Sequence, residues 1–363
     1  MFDFEKRRQK LRKLMRKNKI SAMLVTNEVN VTYLTGFSGD SSYLLMTPDT
    51  EIVLSDARYT VQLEEECPDL EVVIRGPGVR MLDILEQAVR QAKPTHIALE
   101  SNAVTLQLYE AFRERLPEMD WPLTSGLVEE LREIKDKQEI KQIREAVDLA
   151  QRSFAIVRNA LRPNRTELEV AHELEHQIRL FGGTFCSFPP IVAVGPRAAL
   201  PHARPQHYRI EESPFVLIDW GARGAQYVSD LTRVLVTGTI PPKLERIYEV
   251  VLKAQLAAIA KIKPGVSGKE VDAAARTVIA KSGYGKYFGH GLGHGIGLQV
   301  HEGPRVAMDT DVTLRPGMVI TVEPGIYLPG WGGVRLEDDI LVTRNGHEVL
   351  SSVPKAFADS IVA

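Results

Sequence analysis

Phe215 to Val236 reads F-V-L-I-D-W-G-A-R-G-A-Q-Y-V-S-D-L-T-R-V-L-V. Apolar residues fill both arms and a glycine turn, Arg223 to Ala225, separates them, which predicts a β-hairpin. An acidic side chain inside such a run is costly to bury unless it is paired or bound to metal. This hairpin carries two, Asp219 and Asp230, almost symmetric about the turn. Met318 to Val342, M-V-I-T-V-E-P-G-I-Y-L-P-G-W-G-G-V-R-L-E-D-D-I-L-V, repeats the plan, with Glu323 and Glu337 symmetric about Gly330. Each carboxylate is therefore expected close to its mate across the strands. Like charges at that spacing repel strongly unless cations lie between them. Ordinary half-exposed surface carboxylates account for any one of these residues, but not for all four in mirrored apolar runs.

Between the hairpins lies H-G-L-G-H-G-I-G-L-Q-V-H-E, His290 to Glu302, with three of the chain's nine histidines. Its glycines forfeit helix stability and side-chain packing, so something other than packing fixes these residue types. One neutral imidazole added to four carboxylates makes an oxygen-rich set of five ligands whose charge balances two divalent cations. Such donors favour Mn, Co, Zn or Fe over copper or an iron–sulfur centre. Two metals about 3.5 to 4 Å apart share a hydroxide nucleophile and polarise a carbonyl. The implied chemistry is hydrolysis.

Composition agrees with an enzyme of small molecules. The 363 residues suit two domains. With 44% hydrophobic and 25% charged residues the chain reads as globular. A formal net charge of −2 offers no broad attraction for nucleic acid or anionic membrane. The two cysteines, Cys67 and Cys186, have no paired spacing, which fits buried thiols in a reducing cytosol. No signal-like or membrane-spanning apolar run occurs, so a cytoplasmic location is expected.

The basic N-terminal segment places Phe4, Leu11, Leu14 and Met15 on one helical face, so an amphipathic helix with a solvated basic side is expected. Five short strand-like runs follow, Ser21–Thr26, Ser42–Thr47, Glu51–Asp56, Leu70–Arg75 and His96–Glu100. Helical patterns at Arg58–Glu66 and Gly78–Ala92 make this an α/β domain, residues 1–127. One helix over Val128–Arg152 then opens an α+β domain, residues 128–363. Further helices are expected at Thr166–Phe181, Pro242–Ile262 and Gly268–Ser282, the first with a Thr166/Glu169 capping box.

Taken together, I-D-W-G, S-D-L-T-R, H-G-L-G-H-G-I-G, V-E-P-G-I-Y and V-R-L-E-D-D occur in the order found in the pita-bread metallopeptidases: aminopeptidase P, prolidase and methionine aminopeptidase. The first domain, with V-T-Y-L-T-G-F-S-G and D-A-R-Y, resembles the creatinase-like N-terminal domain of the proline-specific members. The resemblance covers essentially the whole chain. It implies a creatinase-like α/β domain followed by an α+β pita-bread (creatinase/aminopeptidase) domain. It further implies that Asp219 holds one metal, that His294 and Glu323 hold the other, and that Asp230 and Glu337 bridge them. Manganese is the first expectation, with cobalt or zinc as alternatives. His202, His290 and His301 then fall at substrate-contact positions. Glu323 relays a proton from the attacking hydroxide to the leaving nitrogen, and Arg335 orients a ligand. Gln299 departs from the acidic residue common in relatives, without removing a ligand.

On this reading the chain is a dinuclear hydrolase releasing the N-terminal residue before proline, an Xaa-Pro aminopeptidase in which a metal-bridging hydroxide attacks the scissile carbonyl. An Xaa-Pro dipeptidase (prolidase) is the alternative; Arg197, Arg204 and Arg335 are candidates to receive its substrate's carboxylate. The substrate is a proline-containing peptide, the family implies a homodimer, and neither nucleic acid nor membrane is an expected partner. Metal-free creatinase chemistry is disfavoured because all five ligands are present, and so is a non-catalytic pita-bread binding module.

Overall fold

The computed structural model describes residues 2–362; Met1 and Ala363, the outer ends of the expected domain ranges, lie outside the described residues. The chain divides into two compact units, Met1–Arg132 and Glu133–Ala363.

The first unit holds a six-stranded mixed sheet in the order Glu71–Arg75, Glu51–Asp56, Tyr43–Met46, Ala22–Val25, Ile97–Glu100, Leu123–Thr124. Ala22–Val25 and Ile97–Glu100 are buried throughout, as expected of strands covered on both faces. Ile84, Leu85, Ala88 and Val89 of the helix Met81–Ala92 pack with Leu24, Leu45 and Leu54. The N-terminal helix, Phe4–Lys17, departs from expectation on one side. Leu11 and Met15 are buried, but so are Arg7 and Arg8. Arg8 donates to Glu51 at 2.7 Å, Asp69 at 2.6 Å and the Leu34 carbonyl at 3.1 Å. A guanidinium can be buried when its fork of donors is met by carboxylates and carbonyls.

The single helix expected over Val128–Arg152 is two helices, Leu127–Arg132 and Lys137–Ala160. Asp136 breaks the pattern by capping the second: its carboxylate accepts from the Gln138 and Glu139 amides, and Glu139 caps back. The division between the units falls after the short helix, at Arg132/Glu133, five residues beyond the boundary expected from the sequence, which cuts that helix after Leu127.

In the second unit a three-stranded antiparallel sheet (Leu231–Val236, Phe215–Trp220, Ile191–Val194) accompanies a five-stranded one (Glu302–Val306, Gly293–Gly295, Val319–Val322, Asp338–Val342, His347–Val349). Helices Lys137–Ala160, Glu167–Leu180, Pro242–Lys261 and Gly268–Lys281 cover them. Strand alternation decides which core each side chain enters. Phe215, Leu217, Val234 and Val236 join the core that includes the helix Pro242–Lys261, while Val216, Ile218 and Trp220 join the one beneath Lys137–Ala160. Trp220 stacks on Phe154 at 4.1 Å and donates to the Ala150 carbonyl at 2.9 Å. Both faces of this sheet are therefore dry, and Asp219 continues the face of Phe215 and Leu217.

Candidate metal centre

The first hairpin aligns Asp219 with Thr232, not with Asp230. Asp230 precedes the paired strand by one residue and so lies diagonally from Asp219 on the same face. The second hairpin keeps a single register across an interruption. Val322 faces Asp338 and Gly325 faces Arg335, which leaves Glu323 opposite Glu337 in the gap between. Thr232 joins the hairpins through a bridge to Glu337, with the Glu337 amide donating to its carbonyl at 3.2 Å and its hydroxyl to Glu337 Oε2 at 2.6 Å.

Into this junction His294 projects from the strand Gly293–Gly295. Its Nδ1 lies 3.1 Å from the Gly295 carbonyl, so the proton sits there and the Nε2 lone pair faces inward. Nε2 is 3.4 Å from Glu323 Oε1 and 3.8 Å from Asp230 Oδ2. Ligand atoms of Asp230, His294 and Glu337 all lie within 4.8 Å of one another. Asp219 stands apart, with Oδ2 held by Arg335 at 2.5 Å and Oδ1 buried without a hydrogen-bond partner among the described residues.

The glycines beside His294 serve strand packing. A Cβ at Gly293 would sit 2.1 Å from the Thr321 carbonyl oxygen and one at Gly295 2.0 Å from that of Gly303. Backbone pinches the strand from both sides. Gly293→Ala is accordingly expected to displace His294 and to destabilise the protein by about 3 kcal/mol, measured by equilibrium denaturation.

Electrostatics point to missing positive charge. Burial, reinforced by the neighbouring carboxylates, drives Asp230 and Glu337 well above the usual carboxylate range. Burial lifts Glu323 to about 8 and also raises Asp219, against the pull of Arg335. Burial lowers His294 to about 4, leaving a neutral imidazole at pH 7. Four buried carboxyls, an inward lone pair and an orphaned Asp219 oxygen form a hard, oxygen-rich donor set that fits divalent cations.

The remaining expected residues fall into two groups. Arg335 is almost wholly buried and donates to Asp219, to Thr232 Oγ1 at 3.1 Å and to the Tyr327 hydroxyl at 2.9 Å. Tyr327 in turn donates to His290 Nε2 at 2.9 Å, while His290 Nδ1 meets the Gly291 carbonyl at 2.7 Å. Both ring nitrogens of His290 are thus committed internally, so a substrate contact through it, as expected from the sequence, requires breaking one of these bonds. His301 and His202 are exposed, and their ring nitrogens make no hydrogen bond among the described residues. His301 packs edge-on against His294 at 4.3 Å between ring centroids. His202 lies near enough to Asp219, His290 and His301 to affect their protonation.

Sequence reasoning missed Thr232 and Tyr327. A signal existed for each: Thr232 lies two residues after Asp230, and Tyr327 and Gly325 share the strand face of Glu323. A Cβ at Gly325 would lie 2.4 Å from the Tyr327 hydroxyl, so that glycine makes room for the tyrosine to reach Arg335.

A two-unit chain whose second unit gathers this donor set has the architecture of a metal-dependent peptidase. The chain belongs to metallopeptidase family M24, matched over residues 141–344, and carries a Creatinase/Prolidase N-terminal domain over residues 7–134. It has the creatinase-like α/β domain and the α+β pita-bread domain expected from the sequence. An Xaa-Pro dipeptidase from Bacillus anthracis superposes with a TM-score of 0.94 at 39% identity, over 98% of this chain and 99% of that one. An Xaa-Pro dipeptidase from Pyrococcus horikoshii is 37% identical over 96% of this chain and 97% of its own length. An X-Pro aminopeptidase from Thermotoga maritima superposes with a TM-score of 0.88 at 36% identity, over 95% and 99% of the two chains. Among the described residues no helix is long and apolar enough to cross a membrane.

Proposed function

We propose that this metallopeptidase is an Xaa-Pro dipeptidase, cleaving the bond between an N-terminal residue and a following proline. The observation that carries the hydrolytic reading is the convergence of Asp230, His294 and Glu337 on one buried point, with Glu323 and Asp219 at its edge. The dipeptidase reading is supported by the names of the Bacillus and Pyrococcus relatives. Aminopeptidase action, favoured by the sequence, is the second reading, supported by the Thermotoga relative. Proline blocks general peptidases because its nitrogen bears no N–H and it constrains the preceding residue, so a dedicated site makes physical sense.

In this reading Asp219, Asp230, His294, Glu323 and Glu337 would together hold the divalent cations. Two divalent cations, manganese first among them, supply the charge that polarises the scissile carbonyl and makes a water nucleophilic at neutral pH. Glu323 accepts the proton of the attacking water and passes it to the proline nitrogen. His301 and His202, with unbonded ring nitrogens, offer N–H donors to the developing oxyanion. Arg335, fixed by Tyr327 and His290, aims Asp219. A homodimer in the cytoplasm completes the reading.

A dipeptidase must also receive a free carboxylate. Arg197 is committed to the buried Glu167 at 2.9 Å, and Arg335 to Asp219. Arg204, exposed on the loop that carries His202, makes no side-chain hydrogen bond among the described residues and is the remaining candidate. The test compares Xaa-Pro with Xaa-Pro-Xaa hydrolysis by chelated and Mn2+-restored protein. Metal-dependent cleavage of the dipeptide alone is expected, with KM about tenfold higher in Arg204→Ala. Equal cleavage of the tripeptide would make the protein an aminopeptidase, and cleavage of neither would remove the proline assignment.

A further inference from the structure

Behind the hairpin junction, on the side away from His294, Arg233 is buried to 2% exposure with all five of its N–H donors in use. Nη1 donates to the Thr232 carbonyl at 2.9 Å and to that of Glu337 at 2.6 Å. Nη2 reaches Asp338 Oδ1 and the Val353 carbonyl, each at 2.7 Å, and Nε the Pro354 carbonyl at 3.2 Å. One planar group therefore clamps both residues of the Thr232–Glu337 bridge and ties them to the C-terminal segment.

The same segment is anchored to Asp338, the residue after Glu337. The Asp338 carboxylate receives Lys355 Nζ at 2.5 Å, the Ser351 hydroxyl, and Gln255 from the helix Pro242–Lys261 at 3.1 Å. Beyond Lys355 the chain borders an open cavity of about 400 Å³ lined by Phe154, Leu235, Tyr248, Val353 and Pro354. It is refastened where Arg158 holds the Asp359 and Ile361 carbonyls and the Val362 amide meets Val236. Val353, Phe357 and Val362 of this segment pack on the neighbouring cores, Phe357 edge-on against Tyr248 at 5.2 Å between ring centroids. Docking of Ser351–Val362 therefore combines apolar contacts with polar ties, and the ties at Arg233 and Asp338 lie directly against Glu337.

We propose that Arg233 is a positioning residue for the metal centre, setting the distance of Glu337 from Thr232, and that it does so only while Ser351–Pro354 is docked on it. Metal binding and docking of the C-terminal segment are then one linked equilibrium: each favours the other by the same factor. Lysine at 233 keeps the charge opposite Asp338 but cannot present a planar fork to four carbonyls. This rests on the ligand set proposed above, not on the choice between dipeptidase and aminopeptidase.

The test reads metal affinity and backbone exchange, not turnover. Mn2+ dissociation constants from chelator competition are compared for the unaltered protein and Arg233→Lys, with hydrogen exchange of residues 351–362 followed with and without Mn2+. We expect at least tenfold weaker Mn2+ binding in the variant. Mn2+ should slow exchange in the segment of the unaltered protein and slow it far less in Arg233→Lys. Should Arg233→Lys fail to fold, Lys355→Met loosens the same anchor from the segment's side and is expected to shift both readouts in the same direction. Unchanged Mn2+ affinity in a variant whose segment exchanges faster would overturn the inference alone, as would exchange in the unaltered protein that ignores Mn2+. Failure of the unaltered protein to bind Mn2+ at all would overturn the ligand assignment, and the inference with it.

Discussion

Glu337→Gln is expected to lower kcat/KM about a thousandfold, equivalent to roughly 4 kcal/mol of transition-state stabilisation, and to reduce bound metal from two ions per chain to one or none. Glutamine matches glutamate in shape, and its carbonyl oxygen can still accept the Thr232 hydroxyl bond, so the hairpin junction survives. What disappears is one negative charge and one anionic donor at the centre of the cluster. In the metal-free state that loss has the opposite sign. Burial beside Glu323 and Asp219 makes ionisation of Glu337 costly, and a glutamine, neutral at every pH, carries no such cost. Metal-free Glu337→Gln is therefore expected to melt at or above the temperature of metal-free wild type while holding less manganese. Elemental analysis and melting curves check both halves; full metal content with normal turnover would exclude Glu337 from the ligand set.

Metal-free protein is expected to lose stability between pH 6.5 and about pH 8, whereas the manganese-loaded form holds its stability there. Glu323 has an ordinary value of 4.5 and is raised to about 8 by burial. Between those values the native state keeps a proton that the unfolded chain releases. Its stabilising contribution is complete below 4.5 and disappears as pH climbs through 8. Asp219, Asp230 and Glu337 move in the same direction. His290 and His294, lowered from 6.5 to about 4, act oppositely, since the unfolded chain takes up their protons below 6.5. Above 6.5 their contribution is flat and only the carboxyls matter. Cations displace the same protons, so manganese affinity should rise across this window. Chelated and loaded samples melted at pH 6.5 and 8 decide the matter; a metal-free melting temperature that does not fall would contradict the burial of these carboxyls.

The candidate site was legible in the sequence because buried acids violate a strong rule. Asp219, Asp230, Glu323 and Glu337 each interrupt an apolar strand, and period-two alternation places them on one side. The mirror about Gly330 read the second hairpin correctly, since one register runs through both of its parts. In the first hairpin the same symmetry argument erred by a diagonal step, because the chain enters its second strand at Leu231, after Asp230. Short turns fix register only when their length is read correctly. Arg7 and Arg8 were misread because a basic residue's partners, here Glu51 and Asp69, are set by tertiary packing and leave no local trace. The break before Lys137 did leave one, the D-x-x-E of Asp136 and Glu139, but helical spacing continues across it and masked the cap. Thr232 and Tyr327 carry no charge to betray them; they matter only through what they touch.

The Thr232–Glu337 bridge also fixes when the centre can exist. Its two residues are more than a hundred positions apart, and the clamp behind them needs Val353 and Pro354 as well. While the chain is being made, Asp219, Asp230 and His294 emerge long before the strand that completes the set. Contacts of such long range form late and slowly. Nascent chains consequently present acids without a cage until Val353 and Pro354 have been made and the clamp behind the bridge can close. Cations met before that point find loose carboxylates, and cations met after it find a preformed set.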